Sequence, residues 1–196
     1  MKKYILFLQA VVLVLLASAC SSTPGYTIQG IATNPAFEGK TVYLKDAYNN
    51  QIVYDSVTVK GGKFQFADTT AISEPYVRVL SLHLSEGGLD YRLPVIFENG
   101  SIEATLGDIV GVVGTKTNDK LQDFLRAVDE YSATCTNKSV EDIKTGFADL
   151  LKQHILDNSD NQVGVYIFKS YPSALTDALK QSIKKEAGEW FNKQVE

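Results

Sequence analysis

Residues 91–106 read Tyr91-Arg92-Leu93-Pro94-Val95-Ile96-Phe97-Glu98-Asn99-Gly100-Ser101-Ile102-Glu103-Ala104-Thr105-Leu106. Tyr91, Leu93, Val95 and Phe97 keep one side of a period-2 pattern, and Ile102, Ala104 and Leu106 repeat it, which is the spacing of strands with one buried face. Between the two runs stands Asn99-Gly100, the strongest short hairpin signal, because both residues tolerate positive φ. The same grammar extends upstream through Val77/Val79, Phe64/Phe66, Val53/Asp55/Val57, Val42/Leu44 and Tyr26/Ile28/Gly30. Asn49-Asn50 and Gly61-Gly62 punctuate it as further turns. From Tyr26 to about Val113 the pattern predicts roughly eight short antiparallel strands, a β-sandwich or barrel.

Beyond Thr115 the period changes to that of a helix. Leu121, Phe124, Leu125, Val128 and Tyr131 share one face, with Asn118 or Asp119 placed to cap it. Val140, Ile143, Phe147, Leu150, Leu151 and Ile155 share another, opened by the capping box Ser139-Val140-Glu141-Asp142. A shorter segment spans about Gln162 to Tyr171 and stops before Pro172, and a last one runs from about Ser173 through Trp190 and Phe191. The expected class is α+β, with a β-sandwich or barrel-like unit over 26–115 and a helical region over 116–196.

The 196 residues are 44% hydrophobic and 21% charged with two cysteines, which excludes a disordered chain and a disulfide-stapled scaffold. A net charge of −4 gives no basic surplus for nucleic acid.

The N-terminus carries an address. Lys2-Lys3 precede an apolar run from Tyr4 to Leu16, too short to span a bilayer, and Ala17-Ser18-Ala19 supply small residues ahead of Cys20. This resembles a bacterial lipobox, with Ala17 in place of the favoured Leu. It implies a signal peptide over 1–19, diacylglycerol and palmitate on Cys20, and a tether over 20–25. Removal of Lys2 and Lys3 leaves a more acidic mature chain, so the acyl chains must supply the attachment to anionic lipid. Ser21 stands where Asp would favour inner-membrane retention, so the expected location is the outer membrane, periplasmic face. Ser21 to Gly25 span at most about 17 Å, which keeps the folded part near the bilayer.

Catalytic constellations are sparse. Cys135 would be the one thiol left after lipidation, and redox exchange needs a resolving partner. His83 with Glu86 and Asp90 forms a loose His/carboxylate set whose spacing suits a solvated loop better than a metal site, and His154 falls at a helix end. Neither Gly61-Gly62 nor Gly87-Gly88 has phosphate-loop spacing, and no nucleophile elbow occurs. No cofactor or metal is expected. Asp55, an acid inside an apolar strand run, is the one residue with enzymatic interest; its simpler role is a hydrogen bond to Ser56. Ten tyrosines against one tryptophan suit a surface half apolar and half wet. Tyr43, Tyr48 and Tyr54, with Asp55, are the candidate binding surface.

Taken in order, Tyr26-x-Ile28-x-Gly30, Gly39-Lys40-Thr41-Val42-Tyr43-Leu44, Asp55-Ser56-Val57, Gly61-Gly62-Lys63-Phe64-x-Phe66 and Phe97-Glu98-Asn99-Gly100 resemble the domain of unknown function at the N-terminus of Bacteroidetes lipoproteins that carry a thioredoxin-like (AhpC/TSA, thiol–disulfide interchange) domain. The resemblance continues through Val113-Gly114-Thr115 and Asn118-x-x-Leu121 to the segment around Val163-Gly164-x-Tyr166, ending near Tyr171. The family's redox motif lies in a later domain for which this chain offers no position. The resemblance therefore implies an accessory version without oxidoreductase activity. The expected function is a non-enzymatic, membrane-anchored periplasmic lipoprotein that binds a partner protein or small ligand through its sandwich. The alternative is a docking subunit for a separate thioredoxin-like oxidoreductase. Asp55-Ser56-Val57 and Asp68-Thr69-Thr70 also resemble an O-glycosylation acceptor pattern, with Thr69 ahead of Ser56 because it lies in a polar loop.

Overall fold

The computed structural model describes residues 25–84 and 90–196. Cys20, the signal peptide and most of the tether lie outside the described residues, as do Glu86 and Gly87-Gly88. Eight strands follow the period-2 pattern: β1 (Tyr26–Ala32), β2 (Thr41–Asp46), β3 (Val53–Thr58), β4 (Lys63–Asp68), β5 (Tyr76–His83), β6 (Asp90–Phe97), β7 (Gly100–Leu106) and β8 (Gly111–Val113). They form two four-stranded sheets, β4-β1-β7-β8 (sheet A) and β3-β2-β5-β6 (sheet B), which face one another as a sandwich without closing into a barrel.

The turn signals divide into two kinds. Asn49-Asn50 joins β2 to β3, which pair antiparallel, so this is a true hairpin. Gly61 and Gly62 both have positive φ, 57° and 69°, and Lys60 and Lys63 exchange backbone hydrogen bonds around them. That is the mirror-image turn glycine makes easy. The flanking strands then part, β3 to sheet B and β4 to sheet A. Asn99-Gly100 corrects the expectation outright. It links β6 of sheet B to β7 of sheet A, so it is a corner between layers. Asn99 ties that corner down: its Oδ1 accepts from the N–H of Gly25 (3.0 Å) and Ile72 (2.8 Å), and its Nδ2 donates to the Ile72 carbonyl. One pairing also departs from the antiparallel expectation. β7, arriving from the other sheet, lies parallel to β1, with Ile28 opposite Ile102 and Ala32 opposite Leu106.

Most inward positions are the predicted apolar ones, with Ile28, Val42, Leu93, Phe97, Ile102 and Leu106 fully buried. β5 is the correction: Leu80 and Leu82 face the core opposite Leu44 and Val42, while the expected pair Val77/Val79 is buried on the other face of sheet B, opposite Ile96 and Pro94. Gly30 has a packing reason: a Cβ there would strike the Phe64 ring, which lies across it from β4. β6 is more than half-buried. Leu93 through Phe97 are buried without alternation, because helices cover the outer face of sheet B at that end.

The helices are α1 (Lys116–Ala133), α2 (Val140–Asp157), α3 (Gln162–Ser170), α4 (Asp177–Ala187) and α5 (Glu189–Gln194). The Ser139 cap is as expected, accepting from Asp142 N–H at 3.1 Å. The α1 cap is not: Thr115 holds that position, and Asn118 is inside the helix and fully buried. The expected last helix breaks into α4 and α5 at Gly188, whose φ is 86°. One continuous hydrophobic core joins both halves, with Leu121, Phe124, Ile155 and Ile167 packed in the same cluster as the sheet residues.

Helix α1 joins the halves through two amides one turn apart. The Asn118 side chain accepts from Ile96 N–H (2.9 Å) and donates to Ile96 C=O (2.7 Å), completing the free edge of β6. Gln122 Oε1 accepts from Val112 N–H (2.8 Å) on the free edge of β8. Spacing of four puts both on one helical face. The sandwich is thus closed on this side by side chains that imitate a strand.

Candidate functional site

The sequence-derived tyrosines do not form one patch. Tyr43 lies on the outer face of sheet B, half-buried, with the Lys45 ammonium 5.7 Å from its ring centroid. Tyr54 occupies a bulge, since Leu44 pairs with Asp55 but Lys45 pairs with Val53. There its ring lies 3.8 Å from the Arg78 guanidinium, and its hydroxyl donates to Asp46 (3.0 Å). Asp46 also faces Arg78 at 3.6 Å, and Tyr76 covers the same guanidinium from 4.7 Å. Asp55 sits on the exposed edge strand and accepts from Ser56 N–H at 2.7 Å. Ser56 is exposed in β3; Thr69 is exposed between β4 and β5, next to Asp68, which accepts from Thr70 N–H.

His83 ends β5 and is not in a loop, and its Nδ1 lies 3.6 Å from Asp90. Its Nε2 meets the Lys45 ammonium at 3.3 Å, which places a cation where a metal would bind. Among the described residues no three His, Cys, Asp or Glu side chains gather as a metal site. His154, in the last turn of α2, stacks edge-on against Phe124. Cys135, partly buried, donates its thiol to the Tyr131 carbonyl.

Tyr48 leads to the most built concavity. A pocket of about 530 Å³ lies between the β2–β3 hairpin loop, the outer face of sheet B and the C-terminal end of α3. The loop contributes Tyr48, the sheet Arg92 over Val79 and Pro94, and the helix end Tyr166, Lys169 and Tyr171. Each has a local cause. Asp46 accepts from the N–H of Tyr48 and Asn49 (both 2.9 Å), fixing the loop. Arg92 projects outward because Tyr91 and Leu93 take the inward positions. Pro172 ends α3, leaving Lys169 and Tyr171 at its rim. The Lys169 ammonium stands 5.7 Å from the Tyr48 ring centroid.

The electrostatics are one-sided. Among the described residues no carboxylate lies within 4.0 Å of Arg92 or Lys169, and none lines the pocket. Burial, with the neighbouring Tyr166, pushes the Tyr171 phenol up to about 12. Burial also raises Tyr166, against the opposing pull of Ser170 and Arg92. Tyr48 keeps 49% of its surface exposed, yet protein packed at the hydroxyl end, with Tyr166 and Asp46, holds its phenol above the ordinary range. All three phenols are therefore neutral hydrogen-bond donors at physiological pH. Composition pointed to tyrosine; it could not find Arg92, Lys169, Tyr166 or Tyr171, because the pocket joins segments far apart in the chain.

A second, wider groove of about 800 Å³ runs over sheet A, where Gln29, Gln65 and Glu103 form a cross-strand row. It exposes aliphatic side chains at its margin: Ile31 (53%), Ile109 (75%) and Val113 (41%).

Residues 26–121 match the family model of a domain of unknown function, DUF4369. The DUF4369 match covers all eight strands and runs into α1 past Asn118, so it includes the amide that closes β6. It ends at Leu121, short of the expected continuation to Tyr171, and α2 to α5 lie beyond it. The pocket thus combines residues inside the match, Tyr48 and Arg92, with residues outside it. No curated protein and no solved structure matches the chain. No helix among the described residues is long and apolar enough to cross a membrane.

Proposed function

We propose that this chain is a non-catalytic, lipid-anchored envelope protein that binds a small ligand through its β-sandwich, in the pocket beneath the β2–β3 hairpin. The observation that carries the reading is the pocket itself, where two cations with no carboxylate partner among the described residues and three neutral phenols line one cavity between the sheet, the hairpin and α3. The anchor rests on the lipobox ending in Cys20, and outer-membrane placement on the periplasmic face rests on Ser21. The test has two parts. Labelled palmitate should enter the wild-type chain and not Cys20→Ala, which should leave the membrane fraction. Native mass spectrometry of the chain released from envelopes should show a bound small molecule that Tyr48→Ala loses. A chain with no bound mass, and steady turnover on a panel of ester and glycan substrates, would overturn the binding reading.

The exposed aliphatic margin of sheet A favours a second reading, docking of a separate thioredoxin-like protein. Ile31, Ile109 and Val113 together offer the apolar area that partner surfaces use. Val113→Asp should then abolish co-purification of that protein while leaving the pocket intact.

A further inference from the structure

We infer that the pocket takes a small oxyanion, a carboxylate or phosphate carried on a compact body, with Arg92 and Lys169 as its counter-charges; this rests on the binding reading above and names its ligand class. Among the described residues neither cation faces a carboxylate, so an anion entering the pocket meets two positive groups and no like charge. Two carboxylates of sheet B, Asp46 and Asp90, are already committed. Asp46 accepts from two backbone N–H groups and the Tyr54 hydroxyl and faces Arg78. Asp90 accepts from Ser81 Oγ at 2.9 Å and faces His83. The chain as a whole is acidic, net −4, so a site with two cations and no acid among its described lining residues inverts the local sign against the background.

The donor set suits an oxyanion and little else. A guanidinium offers a planar fork to two oxygens, an ammonium a point charge, and neutral phenols add donors. Val79 and Pro94, the apolar lining residues on the sheet, offer a floor for the ligand body. At about 530 Å³ the cavity falls within the range of small-molecule sites, roughly 300–1,000 Å³.

The test uses the full chain in detergent, titrated with inorganic phosphate, glucuronate and, as the neutral control, glucose, while the ring resonances of Tyr48 and the guanidinium of Arg92 are followed by NMR. Phosphate or glucuronate should bind and glucose should not, with affinity falling as salt rises. Which anion binds distinguishes the two sources. Arg92→Gln and Lys169→Gln should each weaken binding about tenfold or more. Both residues are exposed, so an unchanged unfolding midpoint confirms that the variants fold. Glucose binding as tightly as the anions, or anion binding unaltered in the double variant, overturns the inference. If envelope extract shifts Tyr48 equally in wild type and double variant, the pocket reading stands and the oxyanion fails. If neither probes nor extract shift Tyr48, both fail.

Discussion

The two lateral sides of the sandwich end their sheets in opposite ways. On one side β6 and β8 meet α1, whose Asn118 and Gln122 hydrogen-bond the edge backbones at Ile96 and Val112. On the other, β3 is exposed along nearly its whole length, and Val53 and Tyr54 stand open beside Ile52. The same polymer edge is thus closed by side chains in one place and left to water in the other. The closed side carries structure: the α1 amides, Phe124 and the helices beyond it are one core with the sheets. The open side tolerates change, and a charged substituent there would discourage unwanted strand pairing.

That contrast can be broken or sharpened by mutation. Phe124→Ala removes a fully buried ring on α1 and should cost about 3–5 kcal/mol, read by urea unfolding. If sheet and helix probes then melt at different urea concentrations, the halves are separate units and the shared core is refuted. Asn118→Ala leaves the Ile96 N–H and C=O without partners in a buried place, so a loss of about 2–4 kcal/mol is expected. Gln122→Ala removes one bond at a partly buried position and should cost about 1 kcal/mol. On the open side Val53→Lys should change stability by less than about 0.5 kcal/mol, and a larger loss would mean that β3 is covered.

Acid adds a smaller effect near the hairpin. Burial opposes ionisation of Asp46, but the Tyr48 and Asn49 N–H groups, the Tyr54 hydroxyl and Arg78 prevail and hold its carboxyl below the usual range. Its folded value is lower than its unfolded one, so its contribution is complete above about pH 3.9 and disappears as pH falls through the folded value. Asp46→Asn should flatten that part of the acid limb in a stability-versus-pH series. An unchanged limb would show that Asp46 is not what holds the hairpin.

Local pattern told much of this and missed what lies between segments. Tyr26–Val113 read as strands because alternation is a property of neighbours, and all eight are there. Asn99-Gly100 was misread because turn chemistry specifies how a chain reverses, not whether the two strands go on to pair. The parallel β1–β7 pair is invisible to any window, since its members are more than sixty residues apart. Leu93–Phe97 did carry a signal: five residues without a charge predict burial on both faces, and Pro94 is tolerated because β6 is an edge strand. Asn118 was legible as a polar residue at the start of α1, yet its role depends on a strand edge arriving from twenty residues upstream. The pocket was the least legible, with Tyr48 the one residue of it named from composition.

The binding claim is tested most directly by labelling the tyrosines with fluorine and adding envelope extract to the full chain. The account predicts that the resonances of Tyr48, Tyr166 and Tyr171 shift while those of Tyr43 and Tyr54 stay in place. Shifts confined to Tyr43 and Tyr54 would contradict it.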